Sequence, residues 1–263
     1  MKKFEEVKFN IGQLKGISAK NIEEHLKLYA GYVKNTNLIL EKIPEYEGYV
    51  KEDTFASYVV SEIQRRFSFE FNGMRNHEYY FKSLEGGAKP LPADSLLKKT
   101  IEKEILSFDV WMTAFKSLAL TRGIGWAVLY YDKQTGELIP AWIDEHHLGQ
   151  LNGLNWILGI DMWEHAFVAD YQPSGKKQYI EDFFENLNWE VIEENFLQVH
   201  FLSGQKESLF PSHESAAMPF AHQFDEYILL KRDIAALQTK EDQDFLNDAE
   251  KWETGVAVFL YLS

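Results

Sequence analysis

The chain has 263 residues, a net charge of −14, a hydrophobic content of 45% and no cysteine. Its length and hydrophobic content indicate a globular protein with a substantial core. The missing cysteine excludes disulfides, thiolate metal sites and a cysteine nucleophile, and the negative charge argues against nucleic-acid binding. No apolar stretch approaches the length of a membrane span and no signal peptide is recognisable, so we expect a cytoplasmic protein with no membrane partner.

The first predicted helix begins at Ala19, with Ser18 as its cap, and carries a histidine on its apolar face. His25 lies on the same side of the helix as Tyr32, seven residues further on, and as other aromatic residues. A histidine in this setting is compatible with a hydrogen-bonded core residue or with a metal ligand. Residues 44–53 are predicted to form a loop.

The second predicted helix covers residues 54–84 and repeats this arrangement. His77 again lies among aromatic residues. Gly73 precedes it by four residues on the same face, which leaves space beside the imidazole for a group from elsewhere in the protein. Two long helices joined by a loop form an antiparallel hairpin, which would bring His25 and His77 together.

The second part of the chain changes from helical to strand periodicity. Two shorter helices are predicted at residues 94–104 and 108–121, with Asp94 and Ser107 as caps, and a last helix runs through residues 182–196. The three strands between them are predicted at 126–132, 137–144 and 154–160. The fold class is therefore α+β: a long N-terminal antiparallel helical hairpin, followed by an α/β domain with a small three-stranded antiparallel sheet.

The sequence DMWEH at 161–165 follows the third strand and is the most informative stretch. An apolar strand delivers Asp161 to its end, and the chain then turns into a helix that carries His165, so both side chains can face one point. A carboxylate oxygen and an imidazole nitrogen are suitable ligands for a transition metal. The alternative is an acidic helix start followed by a surface histidine. A loop with His146 and His147 could point to the same centre.

Several of these segments together resemble the iron/manganese superoxide dismutases. That family has D-x-W-E-H-A-(Y/F)-x-x-D-Y where this chain has DMWEHAFVADY, and Y-I-x-x-F-(x)-N-x-N-W where it has YIEDFFENLNW. The NHEYY sequence of the second helix and the Gly-Trp-Ala start of the first strand also match. The resemblance covers roughly residues 10–198. It implies an oxidoreductase that disproportionates superoxide to O₂ and H₂O₂.

The resemblance also implies a site with one Fe or Mn ion per chain. The implied metal ligands are three histidines and one aspartate: His25, His77, Asp161 and His165. Tyr32 matches the gateway tyrosine of the substrate funnel and is a candidate proton relay. His146, with His147 as the second candidate, would bond to the metal-bound solvent. The implied aromatic wall of the site consists of Trp126, Trp163, Tyr80 and Phe81.

In the family, the glutamate of W-E-H bonds across a dimer interface to the ligand histidine of the other subunit. The resemblance therefore implies a homodimer through Glu164 and His165. The family usually has eight residues from the first ligand histidine to the gateway tyrosine, whereas His25 and Tyr32 are seven apart. The missing residue falls where the family often has a histidine that pairs across the dimer with the tyrosine of D-Y, which is Tyr171 here.

The family's arginine between D-Y and Y-I is absent as well, and Lys176 or Lys177 is a candidate to replace its charge. We predict an N-terminal helical hairpin domain at 1–92, a C-terminal α/β domain at 93–198 and an extension of unassigned role at 199–263. The departures from the family leave a second hypothesis, a metal-binding dimeric scaffold or interaction protein that has lost fast dismutation. Neither a preference for Fe over Mn nor the role of the extension follows from the sequence.

Overall fold

The computed structural model describes residues 3–48 and 54–203, so most of the predicted extension and part of the predicted loop lie outside the described residues. The helices are α1 (Ala19–Glu47), α2 (Thr54–Leu84), α3 (Leu96–Glu104), α4 (Phe108–Ala119), α5 (Glu164–Tyr171), α6 (Lys176–Asn186) and α7 (Trp189–Ser203). The strands are β1 (Gly125–Tyr131), β2 (Leu138–Asp144) and β3 (Asn155–Asp161). The predicted α+β class is confirmed. None of the described helices is long and apolar enough to cross a membrane.

Helices α1 and α2 form the predicted antiparallel hairpin. Three pairs of neighbouring residues run in opposite directions along the two helices: Tyr29–Glu78, Tyr32–Gly73 and Asn35–Glu70. Each helix buries one stripe of residues, and the histidine of each stripe is fully buried. The hairpin thus places His25 and His77 side by side, at about the same level along the two helix axes, facing the rest of the protein.

The end of α1 differs from the prediction. Ser18 caps the helix as expected, since its hydroxyl accepts from the backbone N–H of Asn21 at 3.1 Å. The helix then continues through Pro44 to Glu47, so the prediction of a loop from residue 44 is wrong for its first four residues. A proline removes one helical hydrogen bond, and this loss is small in the last turn, where few residues follow.

Two further boundaries differ from the prediction. The cap of α3 is Ser95 rather than Asp94, because the Ser95 hydroxyl accepts from the N–H of Lys98 at 2.9 Å. Ser107 caps α4 as predicted. The single helix predicted through residues 182–196 is instead two helices, α6 and α7.

The break between α6 and α7 has a clear cause in the packing of Asn188. Its side-chain amide donates to the carbonyl of Glu85 at the end of α2, at 2.8 Å, and its side-chain oxygen accepts from the N–H of Glu190 at 3.2 Å. Asn188 therefore ties the chain to α2 and caps the next helix at once. An uninterrupted helix could not make both bonds.

The sheet has the order β2-β1-β3, and both pairs of strands are antiparallel. Every residue of β1 is buried. Trp126, near the start of β1, lies opposite Asp161 at the end of β3 and opposite Ile143 near the end of β2. This register gathers Trp126, Asp161 and the loop after β2 at one end of the sheet, and the functional site lies there.

Candidate metal centre

Four side chains from four elements meet at this end of the sheet. His25 comes from α1, His77 from α2, Asp161 from the end of β3 and His165 from the first turn of α5, and one candidate ligand atom of each lies within 4.8 Å of the others. The Nε2 atoms of His25 and His165 are each 3.2 Å from Oδ2 of Asp161, and that of His77 is 3.5 Å from it. All four residues were selected from the sequence.

The orientation of His77 is fixed by its own helix. Its Nδ1–H donates to the carbonyl of Gly73, one turn earlier, at 2.5 Å. The lone pair of Nε2 therefore points into the four-residue group, where this buried nitrogen has no hydrogen-bond partner. Buried polar atoms are almost always paired. A metal ion among the three imidazoles and the carboxylate would satisfy this nitrogen, so the residues present fit such an ion.

Hydrogen bonds hold both the side chain and the main chain of Asp161. Its Oδ1 accepts from the backbone N–H of Trp163 at 2.8 Å, which leaves Oδ2 for the histidines. Its main-chain carbonyl accepts from the hydroxyl of Tyr179 at 2.9 Å, and the hydroxyl of Tyr80 lies 3.2 Å behind that of Tyr179. Sequence reasoning did not identify Tyr179, although it opens the YIEDFF motif.

The protonation states in the group suit metal binding. Burial lowers the pKa of both His25 and His77, although Asp161 opposes this effect. Burial alone would raise the pKa of Asp161, but the neighbouring His165 and His25 outweigh it and hold that pKa below its usual range. Neutral imidazoles and an ionised carboxylate are the forms that coordinate metals.

Beside the group, a chain of hydrogen bonds runs through His146. The indole N–H of Trp126 donates to Nδ1 of His146 at 3.0 Å, so the proton of the neutral imidazole is on Nε2. Nε2 then donates to the hydroxyl oxygen of Tyr32 at 2.7 Å. Burial lowers the pKa of His146 to about 3, which keeps the ring neutral near neutral pH. His147, the second candidate of this loop, packs against Phe69.

Gly73 makes room for Tyr32. A Cβ atom at Gly73 would lie 2.7 Å from Cδ1 of the Tyr32 ring. The group from elsewhere that was predicted to fill this space beside His77 is therefore the tyrosine of α1. Burial raises the pKa of Tyr32 above its ordinary value, with a further contribution from the charge of Asp161, so its hydroxyl keeps its proton.

The loop that carries His146 is held by two residues that sequence reasoning missed. The side-chain amide of Asn76 donates to the carbonyl of His146 at 3.2 Å, and the amide of Gln150 donates to the same carbonyl at 3.1 Å. Gln150 also donates to Asn76 at 3.2 Å. Asn76 precedes His77 in the NHEYY motif, and this adjacency was the one signal in the sequence that pointed to it.

Aromatic rings enclose the group, as the sequence predicted. Trp163 stacks on His146 and His165, with ring centroids 4.7 and 5.7 Å away. Three further rings complete the wall: Trp126 beside His77, and Tyr80 and Phe81 beside His25. These rings exclude water from three of the four candidate ligands, whereas the side chain of His165 remains 20% exposed.

Comparison with known proteins gives the family of this chain. A family model described as iron/manganese superoxide dismutases, C-terminal domain, matches residues 93–195. An iron superoxide dismutase of Aquifex pyrophilus is 35% identical over 185 residues, which are 70% of this chain and 85% of the relative. This chain belongs to the iron/manganese superoxide dismutase family. The predicted family and oxidoreductase class are thereby confirmed.

Other relatives in the iron/manganese superoxide dismutase family differ in the metal for which they are named. A Mn/Fe superoxide dismutase of Aeropyrum pernix is 31% identical over 180 residues, 66% of this chain and 79% of the relative. A manganese superoxide dismutase of Mycobacterium leprae is 31% identical over 176 residues, 66% of this chain and 81% of the relative. The relatives thus span both metals, in agreement with the expectation of Fe or Mn.

The structure also shows where the two departures from the family pattern lead. The hydroxyl of Tyr171 donates to Oδ2 of Asp182 at 3.0 Å, so it has a partner within its own chain. The ammonium of Lys176 donates to the carbonyl of Thr121 at 2.7 Å, and burial lowers its pKa. Lys176 is therefore engaged with the backbone before β1, while Lys177 is exposed.

Proposed function

We propose that the protein disproportionates superoxide to O₂ and H₂O₂ at one Fe or Mn ion. The ion would be bound by the four residues of the metal centre, His25, His77, Asp161 and His165. The observation that carries this proposal is the lone pair of His77 Nε2, which is buried without a hydrogen-bond partner among three other metal-binding side chains. The bound ion supplies the one-electron chemistry, in which an electron taken from one superoxide is given to the next.

Two protons are needed for each H₂O₂ formed. We assign the delivery of one of them to Tyr32, with His146 in support, and the second comes from solvent water. Because His146 donates to the oxygen of Tyr32, the hydroxyl proton of Tyr32 points elsewhere, and within the described residues it has no acceptor. Tyr32 can therefore donate this proton to the reduced substrate. The N–H of His146 would stabilise the oxygen that loses it.

The aromatic wall would act on both the ligands and the solvent. The rings of Trp163, Tyr80 and Phe81 lie against the imidazoles and restrict their orientation. By excluding water they also strengthen every electrostatic effect at the site. The hydrogen bonds behind the ligands, such as that from His77 to Gly73, would set the basicity of the imidazoles and with it the redox potential of the ion.

We also propose a homodimer that is joined at the metal centre. Glu164 is exposed on the first turn of α5, next to His165, the one candidate ligand whose side chain is partly exposed. A carboxylate of a second copy could accept the free ring N–H of His165. Analytical ultracentrifugation is expected to give a dimer for the natural chain and a larger monomer fraction for Glu164→Ala. A monomeric natural chain would overturn this assignment.

The second hypothesis, a metal-binding scaffold without fast dismutation, is favoured by one observation. Tyr171 is bonded to Asp182 within its own chain, in contrast to the cross-dimer pairing of the family pattern. The two hypotheses make the same prediction for metal content and opposite predictions for catalysis, so a single preparation distinguishes them.

The test combines metal content with superoxide decay on the full chain, expressed with Fe and with Mn. The natural chain is expected to contain about one ion per chain and to accelerate the decay, because the described residues form one group of this kind. His77→Gln should lose the ion and the activity, whereas the control His147→Gln, in the neighbouring loop, should keep both. Bound metal without activity would support the scaffold hypothesis. Absence of metal would contradict the ligand assignment.

A further inference from the structure

An anionic substrate needs a local positive charge to reach the site of this protein. The chain carries a net charge of −14. The overall field therefore repels superoxide. We infer that Arg66, on α2, supplies this charge and guides superoxide to the metal centre. This inference rests on the proposed function.

The approach to the site is marked by its partly exposed residues. His25, His77, His146 and Asp161 are almost completely buried. Tyr32 and Trp163 are not, so a small molecule from solvent meets these two side chains first. We call Tyr32 and Trp163 the mouth of the site.

The ring of Phe69 borders this mouth. It packs against Tyr32 on one side and Trp163 on the other, with ring centroids 6.0 and 6.3 Å away, and against His146 at 4.7 Å. The guanidinium carbon of Arg66 lies 3.5 Å from the centroid of the Phe69 ring. This cation–π contact holds a positive charge beside the mouth.

A second contact fixes the guanidinium without using all of its donors. Nε of Arg66 donates to Oε1 of Glu70 at 3.1 Å, and Asn35 donates to the other oxygen of this buried carboxylate at 3.2 Å. Within the described residues the two terminal NH₂ groups of Arg66 have no hydrogen-bond acceptor. The side chain is 45% exposed, so these groups can meet an incoming anion.

The positive charge of Arg66 also affects the pKa values of Tyr32 and His146. It lowers the pKa of Tyr32, which burial and nearby carboxylates raise, and it adds to the effect of burial in lowering the pKa of His146. Two other cations are engaged elsewhere. Arg65 binds Glu62 with two hydrogen bonds, and Lys176 donates to a backbone carbonyl.

The test measures the second-order rate constant of dismutation against ionic strength by pulse radiolysis of the metal-loaded chain. Arg66→Gln is expected to lower this constant about two- to fivefold at low salt, as expected for one charge several ångströms from the site. The difference should disappear near 0.5 M salt because of screening. Arg66→Lys should retain most of the rate. The control Arg65→Gln removes the same charge from the neighbouring residue and should have a clearly smaller effect.

A structural role for Arg66 would give a different result. Loss of its bond to Glu70 would lower the rate equally at every salt concentration, and Arg66→Lys would not restore it. Either outcome would overturn the inference, as would equal effects of Arg65→Gln and Arg66→Gln.

A measurement without metal separates this inference from the proposed function. Iodide is an anion that quenches tryptophan fluorescence, and acrylamide is an uncharged quencher. Arg66→Gln should lower the iodide quenching constant more than Arg65→Gln does, and neither should change quenching by acrylamide, because Trp163 lies at the mouth. An inactive natural chain with this iodide difference would refute the proposed function and keep the anion-guiding role. If the natural chain is active, but Arg66→Gln and Arg65→Gln differ neither in dismutation rate nor in iodide quenching, the proposed function stands and the role of Arg66 is refuted.

Discussion

At the scale of single residues, Trp126 determines which way protons can move. Its indole N–H can only donate, so Nδ1 of His146 must accept and Nε2 must carry the proton. The hydrogen bond to Tyr32 therefore has one possible direction, and the tyrosine keeps its own proton for another acceptor. Trp126, which was expected only as part of an aromatic wall, thus fixes the direction of the hydrogen bond between His146 and Tyr32.

The first prediction concerns the hydroxyl of Tyr32. Tyr32→Phe should lower the dismutation rate about 10- to 100-fold, because a positioned proton donor is lost, while the metal content stays unchanged. Tyr29→Phe is the matched control on the same helix. Its hydroxyl accepts from Val7 and donates to Glu78, away from the metal centre, so its loss should leave the rate unchanged. Equal rates for the two variants, measured by stopped-flow decay of superoxide, would contradict the relay.

The second prediction compares two glycines in the helical hairpin. An alanine at Gly31 meets no other atom within 4 Å, so Gly31→Ala should stabilise α1 by up to about 1 kcal/mol. An alanine at Gly73 would press on the Tyr32 ring. Gly73→Ala should therefore displace Tyr32 and lower the rate about tenfold or more, since small misplacements of catalytic groups are costly.

Urea unfolding and superoxide decay are the measurements for both glycine variants. A Gly73→Ala variant as stable and active as Gly31→Ala would show that the space beside His77 is not reserved for the tyrosine.

At the scale of elements, the sequence was informative wherever a local pattern determines the structure. The 3.6-residue periodicity of α1 and α2 predicted both the hairpin and the inward position of its two histidines, and the hydroxyls of Ser18 and Ser107 predicted two helix starts. The DMWEH stretch placed Asp161 and His165 at one strand-to-helix turn. Each of these features depends on residues within one or two helical turns of one another.

Two of the features that the sequence did not predict depend on residues far apart in the chain. The break before α7 follows from a hydrogen bond between Asn188 and Glu85, 103 residues away. The partner of Tyr171 is Asp182, which no spacing rule indicates, and the support of the His146 loop comes from Asn76, 70 residues earlier. Such contacts exist only after the elements have packed, so their residues carry no local signature.

The third prediction concerns the start of α3, which is held by a carboxylate from α7. The side chain of Glu193 is buried and accepts from the hydroxyl of Ser95 at 2.5 Å and from the N–H of Leu96 at 2.7 Å. A carboxylate at a helix N-terminus is favourable. Glu193→Ala leaves these donors unpaired and should lower the free energy of unfolding by about 2–3 kcal/mol.

Glu194 provides the control, because it is the next residue and is exposed. Glu194→Ala should change the free energy of unfolding by no more than about 0.5 kcal/mol. Neither substitution should change the dismutation rate per bound ion. Equal urea midpoints for the two variants would contradict the role of Glu193 in holding the start of α3.

At the scale of the whole molecule, the metal centre combines residues of the helical hairpin with residues that follow the sheet. His25 and His77 come from the hairpin, whereas Asp161 and His165 follow the sheet. An ion bound by all four would add a further link between these parts of the chain, and its binding free energy would add to the stability of the fold. The same four residues therefore connect catalysis, metal content and resistance to unfolding.

The last prediction follows from the protonation of this centre. The pKa of His25 and of His77 is lowered in the folded protein, whereas both are near 6.5 in the unfolded chain. Below that pH the unfolded chain binds protons that the folded protein does not, so acid favours unfolding. The free energy of unfolding of the metal-free protein therefore has its highest value above about pH 6.5. At lower pH it decreases, by up to about 1.4 kcal/mol per pH unit for each histidine.

Urea unfolding of the metal-free chain between pH 7 and pH 5 measures this slope. His77→Gln removes one titrating group, while its amide can still donate to Gly73, so its slope should be shallower by about 1 kcal/mol per pH unit. Parallel slopes for His77→Gln and the natural chain would mean that His77 is protonated in the folded protein, which its burial and its bond to Gly73 argue against.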